Sequence, residues 1–418
     1  MKAAPLLVLA ILAAGCLGGS TNLTSSNQFD GHPACPDSDG VVTNTTSSGQ
    51  DSERWLYICV AGLPYTKMIE TAPPNVADYP HAAVARTNDG IAWVAVDAQA
   101  LQMVLAGTVQ ANIALQWESP ALPGDERIVI GVSLVFHDEL LHALVAGRLN
   151  HVGRIGGPME LIHIWGRQAE FEQENLGPQA TGFLREFAGL IATNHTVTAV
   201  VSDYIVTDGF GETQTARTMI WSTTNGPFEP PIVRDGYWAL DANADPKDTR
   251  ICARSGDAIF NAAAPKWEFQ QVMQIDSIAL GCRISTGFEG AALGYALPLA
   301  GSNGAAGGGS DDSIPYRIVF DREPTKLVPF NRRPGASVDL AGVGSSTFLL
   351  DASPDGEDSV ELSVVRANGL IKLWGGTGDQ MRLVNGFSGP AFVGKSIADT
   401  ESTSVGWSLV SFSPDTAT

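Results

Sequence analysis

One supersecondary unit, two short apolar hairpins in series, recurs along most of this chain at intervals of about 40–60 residues. Copies begin near His81, Val129, Phe187, Gly236, Ser277 and Val338, and an incomplete copy begins near Ala391. A unit of that size cannot bury both faces of its own sheet, so neighbouring copies must pack on one another. The length of 418 residues would otherwise suggest two or three domains. A radial array of such repeats makes it one.

The strands are short, β-branched or aromatic at alternate places, and bounded by Gly, Asn, Asp or Pro. In the first complete unit, Ala82–Arg86 and Ile91–Val96 flank Thr87-Asn88-Asp89-Gly90, and Leu101–Ala106 with Ala111–Trp117 form the second pair. The next reads Val132–Phe136, Leu140–Ala146, Met159–Trp165 and Ala169–Gln173, and the third Gly189–Thr193, Val197–Val206, Ala216–Trp221 and Phe228–Pro230. A Gly/Ser-rich insertion, Gly301–Asp312, interrupts the fifth. Beyond the N-terminal apolar run, no segment of 10–12 residues keeps a helical period.

The two ends complement each other. Phe392–Ile397 and Val405–Phe412 supply one hairpin, and Trp55–Val60 and Thr66–Glu70 supply the other. Joined, they make a seventh unit and hide edges that would template aggregation. The expected fold is all-β: a single β-propeller over residues 51–418, closed by N- and C-terminal strands. Seven blades is the count, with six and eight its neighbours. Many unrelated activities sit on that fold, so architecture leaves function open.

Two turns carry a family resemblance. Arg86-Thr87-Asn88-Asp89-Gly90-Ile91-Ala92-Trp93 has a glycine and a tryptophan in place, with Asn88 at an aspartate position, and Ser222-Thr223-Thr224-Asn225-Gly226-Pro227-Phe228 has the serine, the glycine and an aromatic. They resemble the Asp-box hairpins of sialidase-like and BNR-repeat propellers (Ser-x-Asp-x-Gly-x-Thr-Trp). The resemblance implies the propeller and no activity, because Asp boxes lie away from the catalytic centre in those families. Pro315-Tyr316-Arg317-Ile318-Val319 echoes the Tyr-Arg-Ile-Pro of the same family, displaced to a late outer strand and without the proline. Glycoside hydrolysis needs two carboxylates about 5–10 Å apart. Asp138, Glu139, Asp203 and Asp208 are available acids.

At the N-terminus, Lys2 precedes an apolar run, Pro5–Leu12, too short to span a bilayer. Ala13-Ala14-Gly15-Cys16 follows and resembles the lipobox of prokaryotic lipoproteins, with Ala13 where leucine is usual. That resemblance implies a signal peptide over residues 1–15 and an acylated Cys16 that holds the protein to a membrane. The alternative is a plain secretory signal. Each acyl methylene buried adds about 0.8 kcal/mol, so several chains make a stable anchor. Residues 16–50, rich in Gly, Ser, Thr and Asn, read as a tether with a reach of roughly 30 Å. The expected location is therefore extracytoplasmic, on the outer membrane or cell surface.

Cys35, Cys59, Cys252 and Cys282 permit two disulfides in an exported chain, and Cys35–Cys59 with Cys252–Cys282 is the favoured pairing. The formal charge of −20 comes with no Lys/Arg run, which excludes nucleic acid as a partner and leaves an envelope protein or glycan. Two acidic segments share one spacing: Asp241, Asn243, Asp245 and Asp248, then Asp351, Ser353, Asp355 and Asp358. Alternate oxygen-bearing side chains on a tight loop can converge on calcium, and the same residue types also make ordinary turns. His137, His142, His151 and His163 cluster in the second unit around a β-turn, where a metal is one use and core packing the other.

No Gly-x-Ser-x-Gly elbow, phosphate loop or dinucleotide fingerprint accompanies these features. The reading is a lipid-anchored binding propeller without evident chemistry. A carbohydrate-active hydrolase or lyase and a scaffold subunit of an envelope complex are the alternatives.

Overall fold

Each hairpin pair folds into a four-stranded antiparallel meander, and five such sheets follow one another along the chain. The first holds His81–Thr87, Gly90–Val96, Ala100–Leu105 and Thr108–Ala114. The second holds Glu126–His137, Leu140–Asn150, Met159–Arg167 and Glu170–Pro178, and the third Gly189–Ala192, Val197–Val206, Gln214–Thr223 and Ile232–Asp235. The fourth holds Trp238–Ala244, Thr249–Ser255, Ala258–Ala263 and Gln270–Gln274, and the fifth Ala279–Phe288, Ala291–Pro298, Tyr316–Val319 and Lys326–Pro329. The structure is a computed structural model. It describes residues 40–44, 55–60, 63–150, 159–178, 189–206, 214–244, 249–256, 258–274, 279–288, 291–298, 316–319, 326–329, 338–344, 346–352, 359–366, 369–384, 386–398 and 406–414. In 40–64 and in the fifth sheet only the backbone is described.

Consecutive sheets touch through their first strands: His81–Thr87 meets Glu126–His137, which meets Gly189–Ala192, and Trp238–Ala244, Ala279–Phe288 and Val338–Val343 continue the series. That radial succession is a β-propeller. Its core lies between sheets. One apolar cluster joins Val94, Leu101 and Met103 of the first sheet to Leu141, Val145 and Ile164 of the second. Another joins Leu161 of the second to Val201 and Trp221 of the third and Trp238 and Ile259 of the fourth. A further cluster places Trp93 and Val104 of the first sheet against Val393, Trp407 and Leu409 from the far end of the chain.

Seven separate sheets were expected; six are found among the described residues. The sixth is nine-stranded and runs, in spatial order, Gly40–Asn44, Trp55–Val60, Leu63–Thr71, Trp407–Pro414, Ala391–Ala398, Gly369–Leu383, Ser359–Arg366, Ser346–Ala352 and Val338–Val343. Within it Trp407–Pro414 pairs antiparallel with Leu63–Thr71, Ser408 opposite Thr71 and Pro414 opposite Tyr65. The fusion comes from one 15-residue strand, Gly369–Leu383. Its first half pairs with Ser359–Arg366 and its second half with Ala391–Ala398. The register shifts twice, between Thr377 and Asp379 and between Asp379 and Arg382, beyond the Gly375-Gly376-Thr377-Gly378 elbow. Small residues there let the strand bend without losing its ladder.

The last strand of the third sheet is also displaced from expectation, to Ile232–Asp235 from Phe228–Pro230. Pro230 and Pro231 lack the N–H a ladder needs. Helix is confined, among the described residues, to the single turn Pro74–Ala77, and none of it is long enough to cross a membrane.

The two acidic segments differ in position. Asp241 and Asn243 lie in Trp238–Ala244, the first strand of the fourth sheet, whereas Asp351 lies in Ser346–Ala352, the second strand of its unit. Their shared spacing is not a shared place in the fold.

Candidate functional site

The second sheet concentrates buried ionisable groups. Its third strand, Met159–Arg167, is buried over Met159–Gly166, yet carries Glu160 and His163. An acid or imidazole inside such a run has to be partnered or neutral.

His137, His142, His163 and Glu174 stand on the first, second, third and fourth strands and form a diagonal row. His142 lies opposite Val135 and Trp165, and His163 lies opposite Leu144 and Glu174, so the four side chains share one face. His142 and His163 are both fully buried. His163 Nδ1 is 2.9 Å from Glu174 Oε1, and His142 Nδ1 is 3.1 Å from His163 Nε2. The rings of His142 and His163 stack with centroids 5.3 Å apart, and Trp165 covers His163 at 4.8 Å.

The network assigns the tautomers. As a carboxylate, Glu174 only accepts, so His163 donates from Nδ1. Its Nε2 is then the acceptor for His142 Nδ1–H. That leaves His142 Nε2 as a bare nitrogen, buried and without a hydrogen-bond partner. His137 Nε2, also buried, has the Asp138 carboxylate 3.5 Å away. Burial first, then the neighbouring His163 and His137, push His142 from its ordinary value down to about 3. Burial also lowers His163, against the opposing pull of Glu174. Both rings are therefore neutral at pH 7.

At the other end of the same sheet, Glu160 anchors the segment that arrives from the first sheet. Its Oε2 accepts from the Glu118 N–H at 2.6 Å, and its Oε1 accepts from Arg127 at 2.9 Å. The Ser119 N–H and Asn175 Nδ2 add longer contacts. Arg127 also reaches the Ser119 carbonyl and lies over the Trp117 ring, 4.5 Å from its centre. Burial pushes the Glu160 carboxyl up, but the Arg127 guanidinium and the Glu118 and Ser119 groups outweigh it and hold the carboxyl below its usual range.

Gly147 makes room for this anchor. A Cβ there would stand well inside contact with Trp117 Cη2 and 2.7 Å from Cζ3. Trp117 cannot easily retreat, because its Nε1–H donates to the Ala98 carbonyl at 2.9 Å. Gly147→Ala is expected to cost about 1–3 kcal/mol in urea unfolding, by overpacking. Trp117→Phe in the same chain, which removes the clashing ring, should recover part of that loss, a coupling visible in a double-mutant cycle.

The other acids considered from sequence are engaged or exposed. Asp203 is buried and receives Arg217 through two bonds, at 2.8 and 2.5 Å. Glu139 makes an exposed pair with Arg167, and Asp138 is solvent-facing beside His137. Asp208 and His151 lie outside the described residues. Asp241 and Asn243 belong to the strand Trp238–Ala244 rather than to a loop. Asn243 donates from Nδ2 to the Leu340 carbonyl at 3.2 Å, and its Oδ1 accepts from the Ala244 N–H, so its amide is already used. Asp245, Asp248, Ser353, Asp355 and Asp358 lie outside the described residues, as does the side chain of Asp351. No group of three or more His, Cys, Asp or Glu among the described residues is placed to hold a metal.

Cys252 is fully buried and disulfide-bonded; the side chains of Cys59 and Cys282, and all of Cys16 and Cys35, lie outside the described residues. Trp93, Trp165, Trp221, Trp238, Trp267, Trp374 and Trp407 are all buried, so they pack the fold and offer no face to a ligand.

Of the groups that meet in the second sheet, sequence reasoning picked out the histidines and missed Glu160, Arg127 and Glu174. Glu160 had a legible signal, an isolated acid in Met-Glu-Leu-Ile-His-Ile-Trp. Glu174 had none, because it sits among other acids on an outer strand.

No protein-family model and no curated protein matches this chain. Solved structures do. A subtype N10 neuraminidase-like protein of A/little yellow-shouldered bat/Guatemala/060/2010 matches at 10% identity and a TM-score of 0.43, covering 82% of this chain and 97% of that one. A prolyl endopeptidase matches at 12% identity and a TM-score of 0.41, covering 83% of this chain and 50% of that one. At such identities and scores these matches carry nothing about activity.

Proposed function

We propose that this protein is a lipid-anchored propeller that binds an envelope partner without transforming it. Acylated Cys16 holds it to the membrane, and residues 16–50 give it reach. The observation that carries the reading is the use made of the ionisable side chains inside the sheets. Glu160 with Arg127, Asp203 with Arg217, and His163 with Glu174 each tie strand to strand. These groups serve rigidity, which suits a platform for recognition on surface loops.

In the same reading, the nine-stranded sheet acts as two blades, and the pairing of Trp407–Pro414 with Leu63–Thr71 joins the ends of a seven-bladed ring. Cys252 pairs with Cys282 and Cys35 with Cys59, and calcium at either acidic loop would stiffen the recognition surface.

Cross-linked pull-down from native envelope tests this, with tagged protein carrying Cys16 or Cys16→Ser. A dominant protein partner, lost with the anchor, is the expected result. Recovery of glycan alone, followed by turnover of that glycan by purified protein, would replace this reading with a carbohydrate-active enzyme.

A further inference from the structure

The diagonal row in the second sheet ends at a boundary. Glu174 Oε1 accepts the N–H of Phe228, in the connection before the last strand of the third sheet, at 2.8 Å, in addition to His163. The Phe228 ring packs on His163, centroids 4.1 Å apart. We propose that His142, His163 and Glu174 form a proton-operated latch between the second and third sheets, closed while both imidazoles are neutral and released when both are charged.

The polarity of the hydrogen bonds carries the argument. In the closed row, protons point one way, from His142 to His163 to Glu174, and the bare His142 Nε2 ends the chain. One added proton is absorbed without movement. His163 becomes the imidazolium beside Glu174, and His142 changes tautomer, its Nε2 taking the hydrogen and its Nδ1 becoming the acceptor. A second proton has no such solution. Both facing nitrogens, 3.1 Å apart, would be donors, and two cationic rings would lie stacked 12° from parallel.

The surroundings do not offset that repulsion. From the first strand the row faces His137, with Asp138 at the turn beyond it; from the fourth it faces Glu174, with the exposed Glu172 on the same face opposite Trp165. From the third sheet it meets the uncharged Phe228 ring and its N–H. Relief comes by parting the rings. His163 then carries Glu174 away from Phe228, and the contact between sheets opens.

Amide exchange at Phe228 reads the latch directly. Measured between pH 7 and 5 and corrected for intrinsic exchange, its protection should fall below about pH 6.5 by up to tenfold per pH unit for each proton coupled to opening. Val94, in the first sheet, should keep its protection over the same range. His142→Asn keeps a donor toward His163 and removes one titrating ring, so the fall should become shallower. His142→Phe removes the ring nitrogens altogether and gives the same reading by a second route. Trp165, stacked on His163, should lose emission reversibly in the same window through quenching by the imidazolium, and Trp165→Phe should abolish that change. Phe228 protection that is independent of pH, or that falls only together with Val94, would overturn the latch. So would an unchanged slope in both His142 variants.

Discussion

Arg127→Ala should lower the free energy of unfolding by about 3–5 kcal/mol, among the largest effects of any single substitution in this chain. The cost is that of an abandoned charge rather than of a lost attraction. Glu160 has no exposed surface and would keep its negative charge with the Glu118 and Ser119 N–H groups and the Asn175 amide alone. The substitution also uncovers the Trp117 ring. Glu160→Gln should cost less, about 1–3 kcal/mol: one amide oxygen still accepts from the Ser119 N–H and the guanidinium, the amide nitrogen then meets the Glu118 N–H, and the charge left behind on Arg127 keeps the Ser119 carbonyl and the Trp117 ring. Urea unfolding with an unchanged m-value would separate these variants cleanly. Equal losses would show that the anchor works by shape and not by charge. The carboxyl sits below its ordinary value, so its contribution is present above about pH 4.5 and fades as pH falls through the folded value.

Acid should also unlatch stability through the histidines. His142 falls from 6.5 to about 3 on folding. Between those values the unfolded chain takes up a proton that the folded chain refuses, so folding weakens as pH drops. One ring gives a slope of up to about 1.4 kcal/mol per pH unit, with the full contribution present above pH 6.5. His163, lowered for the same reason, steepens it. Chemical denaturation from pH 7 to 4 should therefore show a smaller pH slope in His142→Asn than in the native chain. The variant loses packing at pH 7 and regains ground at pH 4. Parallel curves for the two proteins would mean that His142 is protonated in the folded state as readily as in the unfolded one.

How much of this was legible beforehand depends on the range of the interaction. Hairpins are local: Thr87-Asn88-Asp89-Gly90 folds as the expected turn, with Thr87 Oγ1 donating to the Gly90 carbonyl and Gly90 at φ +129°. The strand Val197–Val206 falls at its expected bounds. Errors arose where a strand outran its unit. Gly369–Leu383 runs on through the glycines at 375, 376 and 378, residues that locally favour a turn, and pairs with a later strand. The shared spacing of the two acidic segments likewise concealed that Asp241 and Asp351 belong to different strands of their units, the first and the second.

Side-chain meetings were less legible still. His142 and His163 are 21 residues apart, and Glu160 binds an N–H 42 residues away. His142 and His163 meet through the unbroken register of the second and third strands, and His163 meets Glu174 beyond the bulge at Glu160/Ile162; a one-residue slip in either pairing would turn a partner to the other face.

Sequence by itself determined the repeat, the all-β class and the apolar alternation, because turn chemistry and a period of two act over a few residues. Only the tertiary structure decided the count of separate sheets, the neutral histidine row and the Glu160 anchor. Those depend on register and burial, and no local pattern encodes which distant strand supplies the partner.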